Sequence, residues 1–202
     1  MAIPTFAECP RVCIAMLSNE DEIFRNAEIY AKLRHRTILR QDSPGHGMEG
    51  HVWKTSGHSV IKAFYRQENF DTELKCYQRL KDHGVNRIHG LEVPVLEGHD
   101  VYLRVIEMTF VRPPYLLDFG KATLDHPPSY LCDEQDKRRF ESLGRSEFGD
   151  QWPQVNAVLF TLKSSYGIYY LDPRPQNICL GLPDSENDDW MKEPPIDYTE
   201  YE

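Results

Sequence analysis

Two stretches of this chain hold residue types that chemistry uses. The first is Gly45-His46-Gly47-Met48-Glu49-Gly50-His51-Val52, a GxGxxGxV pattern. A glycine side chain is one hydrogen, so backbone N–H groups around Gly45, Gly47 and Gly50 can approach phosphate oxygens closely. The same residues also suit a plain β-hairpin. The second stretch is Asp172-Pro173-Arg174-Pro175-Gln176-Asn177, where a carboxylate is followed five positions on by a carboxamide and then by the apolar run Ile178-Cys179-Leu180. Asp and Asn recur at this spacing by chance, so the order of features before them must give the pair its weight. Between the two stretches lies Lys62, in Val60-Ile61-Lys62. A lysine between apolar neighbours either snorkels to water or finds a partner. Glu73, with Glu68 as the fallback, offers one.

The elements that must position these groups follow from periodicity and punctuation. Asp21 to His35 has apolar residues at helical spacing (Ile23, Ala27, Tyr30, Ala31, Leu33) and reads as a helix packed outside the first lobe. Thr37 to Arg40 reads as a short strand. Val52-Trp53-Lys54 and Ser59 to Tyr65 read as two strands around a turn at Ser56-Gly57. The order strand, glycine turn, strand favours a flap over phosphates rather than a Rossmann crossover, whose glycine loop opens a helix. Asn69 is placed to cap a helix that runs to about His83, with Phe70, Leu74, Tyr77 and Leu80 on one face and Gly84 past its end. Glu73 falls early in that helix, where a carboxylate also complements the helix dipole. Leu91 to Leu96 and Val101 to Met108 read as strands around Glu97-Gly98-His99-Asp100. Residues 129–149 are polar, with Asp133 to Arg139 a solvated helix face. From Pro153 a second amphipathic helix shows Val155, Val158, Leu159 and Leu162 on one face and stops at Gly167.

The composition excludes several classes. With 32 acidic against 23 basic residues the net charge is -9, which argues against a nucleic-acid surface. Hydrophobic content of 40% and charged content of 27% are ordinary globular values, so wholesale disorder is excluded. The five cysteines include one Cys9-x3-Cys13 pair with no second pair or His cluster beside it, which is a poor zinc pattern. No signal-peptide pattern opens the sequence, so the expectation is reduced thiols in a cytoplasmic protein. No apolar run reaches the roughly 18 residues of a membrane span.

Taken in order, the glycine turn, the lysine strand, the acidic helix, the amphipathic helix and the Asp172/Asn177 loop resemble the protein-kinase-like phosphotransferases over roughly residues 37–200. That superfamily includes eukaryotic-like protein kinases and the aminoglycoside and choline kinases. The resemblance implies an α+β, two-lobe fold. Residues 1–36 would be a partly helical extension and 37–109 an N-lobe with a five-stranded antiparallel sheet and the Glu73 helix. Residues 110–128 would be a hinge and connector, and 129–202 an abbreviated helical C-lobe with the catalytic loop. It also implies ATP and Mg2+ as cofactors. Gly45, Gly47, Gly50 and Val52 would cover the nucleotide, Lys62 would hold the phosphates against Glu73, and the backbone of Glu107 and Met108 would meet the adenine edge. Asp172 would orient the acceptor hydroxyl and Arg174 would stand near the γ-phosphate. Asn177 and Asp197 would hold magnesium, with Asp189 the second choice for the carboxylate.

The sequence also departs from the family. Tyr170-Leu171-Asp172 stands where the family writes His-Arg-Asp, which weakens a regulated protein kinase more than a phosphotransferase. Only five residues follow Asp197, too few for the helical platform on which protein kinases bind peptides. Asp118-Phe119-Gly120 spells the family's metal-binding triplet, yet it precedes Asp172 by 54 residues (172 against 118) instead of following it. Flanked by Pro113-Pro114 and Pro127-Pro128, it reads as part of the connector, with Asp118 a cap or turn residue. The expected function is ATP/Mg-dependent transfer of the γ-phosphate to a hydroxyl acceptor. The alternative is a pseudokinase that binds nucleotide or protein without turnover, and a third reading is an unrelated α/β structural domain. Expected partners are ATP, the acceptor, and a protein or second copy that supplies the missing surface; nucleic acid and membrane are not expected.

Overall fold

The computed structural model describes residues 19–40, 45–46, 49–128 and 133–181. Its central strand is β4 (Ser59–Phe64), buried at all six positions. Helix α1 (Asn19–Leu33) covers one face of the sheet, where Ile23, Ala27, Tyr30 and Ala31 meet Trp53, Ile61, Ala63 and Val105. Helix α2 (Gln67–Asp82) covers the other, where Phe70, Leu74, Tyr77 and Leu80 share a core with Val60, Phe64, Ile106 and Met108. The period-2 alternation of a strand sends Ile61 and Ala63 one way and Val60, Lys62 and Phe64 the other, so two helices are needed to bury it. Among the described residues no helix is long and apolar enough to cross a membrane.

Beside β4 lie β3 (Gly50–Thr55) and β8 (Val105–Thr109), both antiparallel to it. On the far side of β8 is β7 (Leu96–Asp100), with a bulge between Leu96 and Gly98. The edge beside β3 is shared end to end by β1 (Ile38–Leu39) and β2 (Gly45–His46). This main sheet is antiparallel throughout and the class is α+β, as expected.

Two local readings need correction. Helix α2 starts at Gln67 with Arg66 as its N-cap and no side-chain cap, so Asn69 lies inside the first turn. The β7–β8 turn falls at 101–104 rather than 97–100, because Asp100 Oδ1 accepts the N–H groups of Tyr102 and Leu103 at 2.9 Å each. The expected strand from Leu91 is thereby split. Its first part, β6 (Leu91–Glu92), forms a tight hairpin with β5 (Arg87–Ile88) through His89 and Gly90, both at positive φ.

The second half is a pair of extended segments joined by helices. Strand β9 (Tyr115–Leu116) lies parallel to β6 and antiparallel to β12 (Ile178–Cys179). Strand β10 (Thr123–Leu124) is antiparallel to β11 (Ile168–Tyr169). Residues 115–124 and 168–179 therefore run side by side, pinned at both ends and open in the middle. Between them come α3 (Glu134–Phe148), capped by Asp133, a 3-10 turn at Gly149–Gln151, and α4 (Trp152–Tyr166). Helix α4 has proline in its first turn, buries Val155, Val158, Leu159 and Leu162, and ends on Gly167 in the left-handed region.

The α1 face holds one buried charge. Glu107 is 0% exposed. Its Oε1 accepts from Ser59 Oγ at 2.7 Å and pairs with Arg36 Nε. Its Oε2 accepts from Arg34 Nε at 3.1 Å and Tyr30 Oη at 3.2 Å. A desolvated carboxylate is tolerable only when its lone pairs are met this way, so Glu107 fastens α1 to the sheet. Removing it strands the Tyr30 hydroxyl and takes from Arg36 the buried one of its two carboxylate partners, Glu97 being the other. Glu107→Ala is expected to cost about 3–5 kcal/mol in urea unfolding; a loss under about 1 kcal/mol would refute the anchoring role.

Candidate functional site

On β4 the Lys62 side chain points towards α2, and its Nζ donates to Glu73 Oε2 at 2.7 Å. Glu73 is buried at 1% exposure, so it and not Glu68 answers the lysine. A second carboxylate also reaches Lys62: Asp118 Oδ1, at 3.1 Å. The expected turn role is present too, since Asp118 has φ +59° and accepts the Gly120 N–H at 3.2 Å. The turn serves to aim the carboxylate at the lysine.

What brings Asp118 to the Asp172/Asn177 loop is the open middle of the paired segments. The Leu117 N–H donates to the Asn177 carbonyl at 2.7 Å, and the Tyr170 hydroxyl donates to the Leu117 carbonyl at 2.6 Å. Lys121 Nζ donates to Asp172 Oδ2 at 2.8 Å. Asp118 thus stands on a turn whose preceding residue is tied to Asn177 and Tyr170 and whose last residue is tied to Asp172. Arg174 Nε meets the other oxygen of Asp172 at 2.9 Å. Asn177 Nδ2 donates to the Asp172 carbonyl at 3.1 Å, which turns the amide oxygen away from that carbonyl.

Packing holds the three elements in register. Phe119, fully buried, meets Tyr77 of α2 edge-on at 5.1 Å between centroids and Tyr170 edge-on at 5.5 Å. Tyr170 is therefore a positioning residue, whose buried hydroxyl is spent on the Leu117 carbonyl. Sequence reasoning read it only as a departure from a family pattern.

The two ends of the glycine stretch pair as antiparallel strands, Gly45 with Val52 and His46 with His51. Gly47, Asp189, Asp197 and the Cys9/Cys13 pair lie outside the described residues. Gly50 has a reason unrelated to phosphate: a Cβ there would collide with the Ala63 carbonyl on β4. Val52 is half-buried and packs against the core. Glu49, next to Gly50, folds over Gly120, where a side chain would strike its carboxylate. Glu49, Glu73 and Asp118 can each bring one oxygen within 4.8 Å of the others.

Three carboxylates share one ammonium here, and their titration reflects the crowding. Burial opposes the Lys62 charge, but Glu73 and Asp118 outweigh it and hold the ammonium protonated well above its usual range. Burial pushes Glu73 up, and Lys62 offsets this only in part. Burial and then the Asp118 charge push Glu49 up as well. Asp118 goes the other way: burial is outweighed by Lys62 and by the Gly120 N–H, so its carboxyl is held below the usual range.

Glu107 and Met108 are not available to a base in the expected way. Glu107 pairs with Ile61 and Gly98, and Met108 with Val60 and Leu96, so their backbone groups serve the ladders on both sides of β8. Glu107 further spends its side chain on α1. The first residues beyond the paired strand are Phe110 and Val111. They border a surface cavity of about 510 Å³ together with Asn86, Val93, Val95 and Thr109, which includes none of the charged groups above.

No family model matches the sequence, and no curated protein matches it. The geometry alone carries the functional reading. One prediction concerns the crowding directly. Glu49 Oε2 is buried without a hydrogen-bond partner beside a like charge. Glu49→Gln removes the repulsion and adds a donor, so it is expected to stabilise the ligand-free protein by about 1 kcal/mol, or roughly 2–4 °C in Tm. A drop in Tm would show that the Glu49 charge is satisfied in place.

Proposed function

We propose that this chain has a two-lobe, protein-kinase-like fold, binds ATP with magnesium, and transfers the γ-phosphoryl group to a hydroxyl acceptor. The observation that carries this reading is the meeting of Lys62 and Glu73 with Asp118, which stands on a turn tied to Asp172 and Asn177. In it, Lys62 binds phosphate oxygens from the position in which Glu73 holds it. Asp118 takes the metal-carboxylate role that the sequence had suggested for Asp197, with Asn177 as the companion oxygen donor. Hard oxygen donors suit Mg2+, and an excess of carboxylates over ammonium is the imbalance a divalent cation relieves. When bound, the ion supplies neutralisation of the phosphate charge. Asp172 accepts the proton of the acceptor hydroxyl as that oxygen bonds to phosphorus and the bond from phosphorus to the ADP oxygen breaks. Phe110 and Val111 replace Glu107 and Met108 as the backbone beside the base.

A binding module without turnover is the second reading, and one observation favours it. Both oxygens of Asp172 already pair with cations, Lys121 and Arg174, which compete with an acceptor hydroxyl and weaken the carboxylate as a proton acceptor.

Thermal unfolding with and without ATP plus magnesium tests the common part. Ligand at 100 times its Kd stabilises by about 2.7 kcal/mol, or roughly 5–10 °C for a chain of this size. The shift is expected to vanish with EDTA and in Asp118→Asn, to fall strongly in Lys62→Met, and to persist in Asp197→Asn. The Asp118 side chain is 34% exposed, so its variant tests the site without emptying the core. No shift at millimolar ATP would sink the enzyme and the nucleotide-binding module alike. ATP-to-ADP conversion that disappears in Asp172→Asn, with the binding shift kept, separates enzyme from module.

A further inference from the structure

Lys121 follows Gly120 directly and has no part in the roles assigned above. Its Nζ donates to Asp172 Oδ2 at 2.8 Å, and it sits on the turn that presents Asp118 to Lys62, a turn closed by the Ala122 N–H on the Phe119 carbonyl at 2.9 Å. One short turn therefore carries a carboxylate facing Lys62 and a cation facing Asp172. Lys121 also bears on the charges of Asp118 and Glu49, which places it in the field of both ends of the site.

Three features separate it from Lys62. Lys62 is buried and pinned by two carboxylates, so it cannot follow a group that moves. The Lys121 side chain is 42% exposed while that of Asp172 is 18% exposed, so the ammonium is open to solvent where its partner is not. Asp172 keeps Arg174 on its other oxygen, so Lys121 can leave without stranding the carboxylate.

We propose that Lys121 is a second phosphate-binding lysine, resting on Asp172 in the free protein and moving to the terminal phosphate of bound ATP. A polyanionic phosphate outcompetes a carboxylate that already has another cation. The move also takes one of the two competing cations off Asp172, so nucleotide binding itself makes that carboxylate a better acceptor for the hydroxyl proton. This inference rests on the proposed nucleotide site.

The test compares affinities for ADP and for the β,γ-imido analogue of ATP, both with magnesium, by calorimetry on the full chain. A lost charge-assisted contact to the terminal phosphate weakens the triphosphate by about tenfold in Lys121→Met. The diphosphate should change by less than about twofold, and Lys121→Arg should keep most of the wild-type preference. Lys62→Met should instead weaken both ligands. Lys121→Gln serves as a second variant should the methionine perturb folding. An unchanged triphosphate-to-diphosphate ratio in the Lys121 variants would overturn the inference while leaving the nucleotide site standing. A wild-type chain that binds neither ligand would overturn both.

Discussion

A buried ammonium sets the conditions that the rest of this structure meets. Lys62 lies on a strand whose every position is covered, so its charge has no water to turn to. An unpaired charge in that position is untenable, and the protein supplies Glu73 at 2.7 Å and Asp118 at 3.1 Å. The first partner fixes the rotation of α2 over the sheet, since Glu73 and the apolar row of Phe70, Leu74 and Tyr77 must face β4 together. The second fixes a turn at 118–121, where a Cβ on Gly120 would meet the carboxylate of Glu49.

A charge of opposite sign does comparable work on the other face. Glu107 stands opposite Ile61 on the neighbouring strand, one register step from the Lys62–Ile106 pair, and points towards α1. Its partners Arg34 and Arg36 come from the end of α1 and the residues just after it, so the helix is tied down where its own backbone bonds run out. The two anchors explain why β4 and β8 are rigid enough to carry a site. They also explain why β8 cannot lend its own backbone to a ligand. A strand bonded on both edges and ionically fixed on one face has little left to offer, and the first backbone beyond it is at Phe110.

How much of this was legible in the sequence depended on range. Helices α1, α2 and α4 are long and periodic, and Ile23, Ala27, Val155 and Leu162 mark their buried faces without any tertiary information. The strand pair around Ser56-Gly57 was equally plain, and so was the pairing demand of Lys62. The N-cap of α2 was not, because Arg66 caps with backbone alone, and the β7–β8 turn was not, because one Asx turn at Asp100 outweighed strand propensity. The turn role of Asp118 was legible, but its contact with Lys62 was not. Its place depends on β9 meeting β12, two strands of two residues each, which carry no periodic signal. The place of Glu107 was hidden for the same reason of range: nothing local in Glu107-Met108-Thr109 shows that its carboxylate is claimed by a helix some seventy residues earlier.

The displaced triplet shows why the order of motifs constrains such a site less than their proximity does. The proposed phosphate chemistry would need Asp118, Asp172 and Lys62 close together, and an antiparallel pairing delivers the turn whether it comes before or after the loop in the chain. What changes is the length of the connection, here the stretch from β10 to β11. Lengthening a closed loop from about 10 to about 50 residues costs only about 1.4 kcal/mol in chain entropy. Burial of Trp152, Val155, Val158 and Leu162 in that connection is worth several times as much. The ladders at either end, two residue pairs each, are too short to hold the open middle between them. The register of the site therefore rests on Phe119, wedged between Tyr77 and Tyr170, which joins the helix behind Lys62 to the loop that carries Asp172.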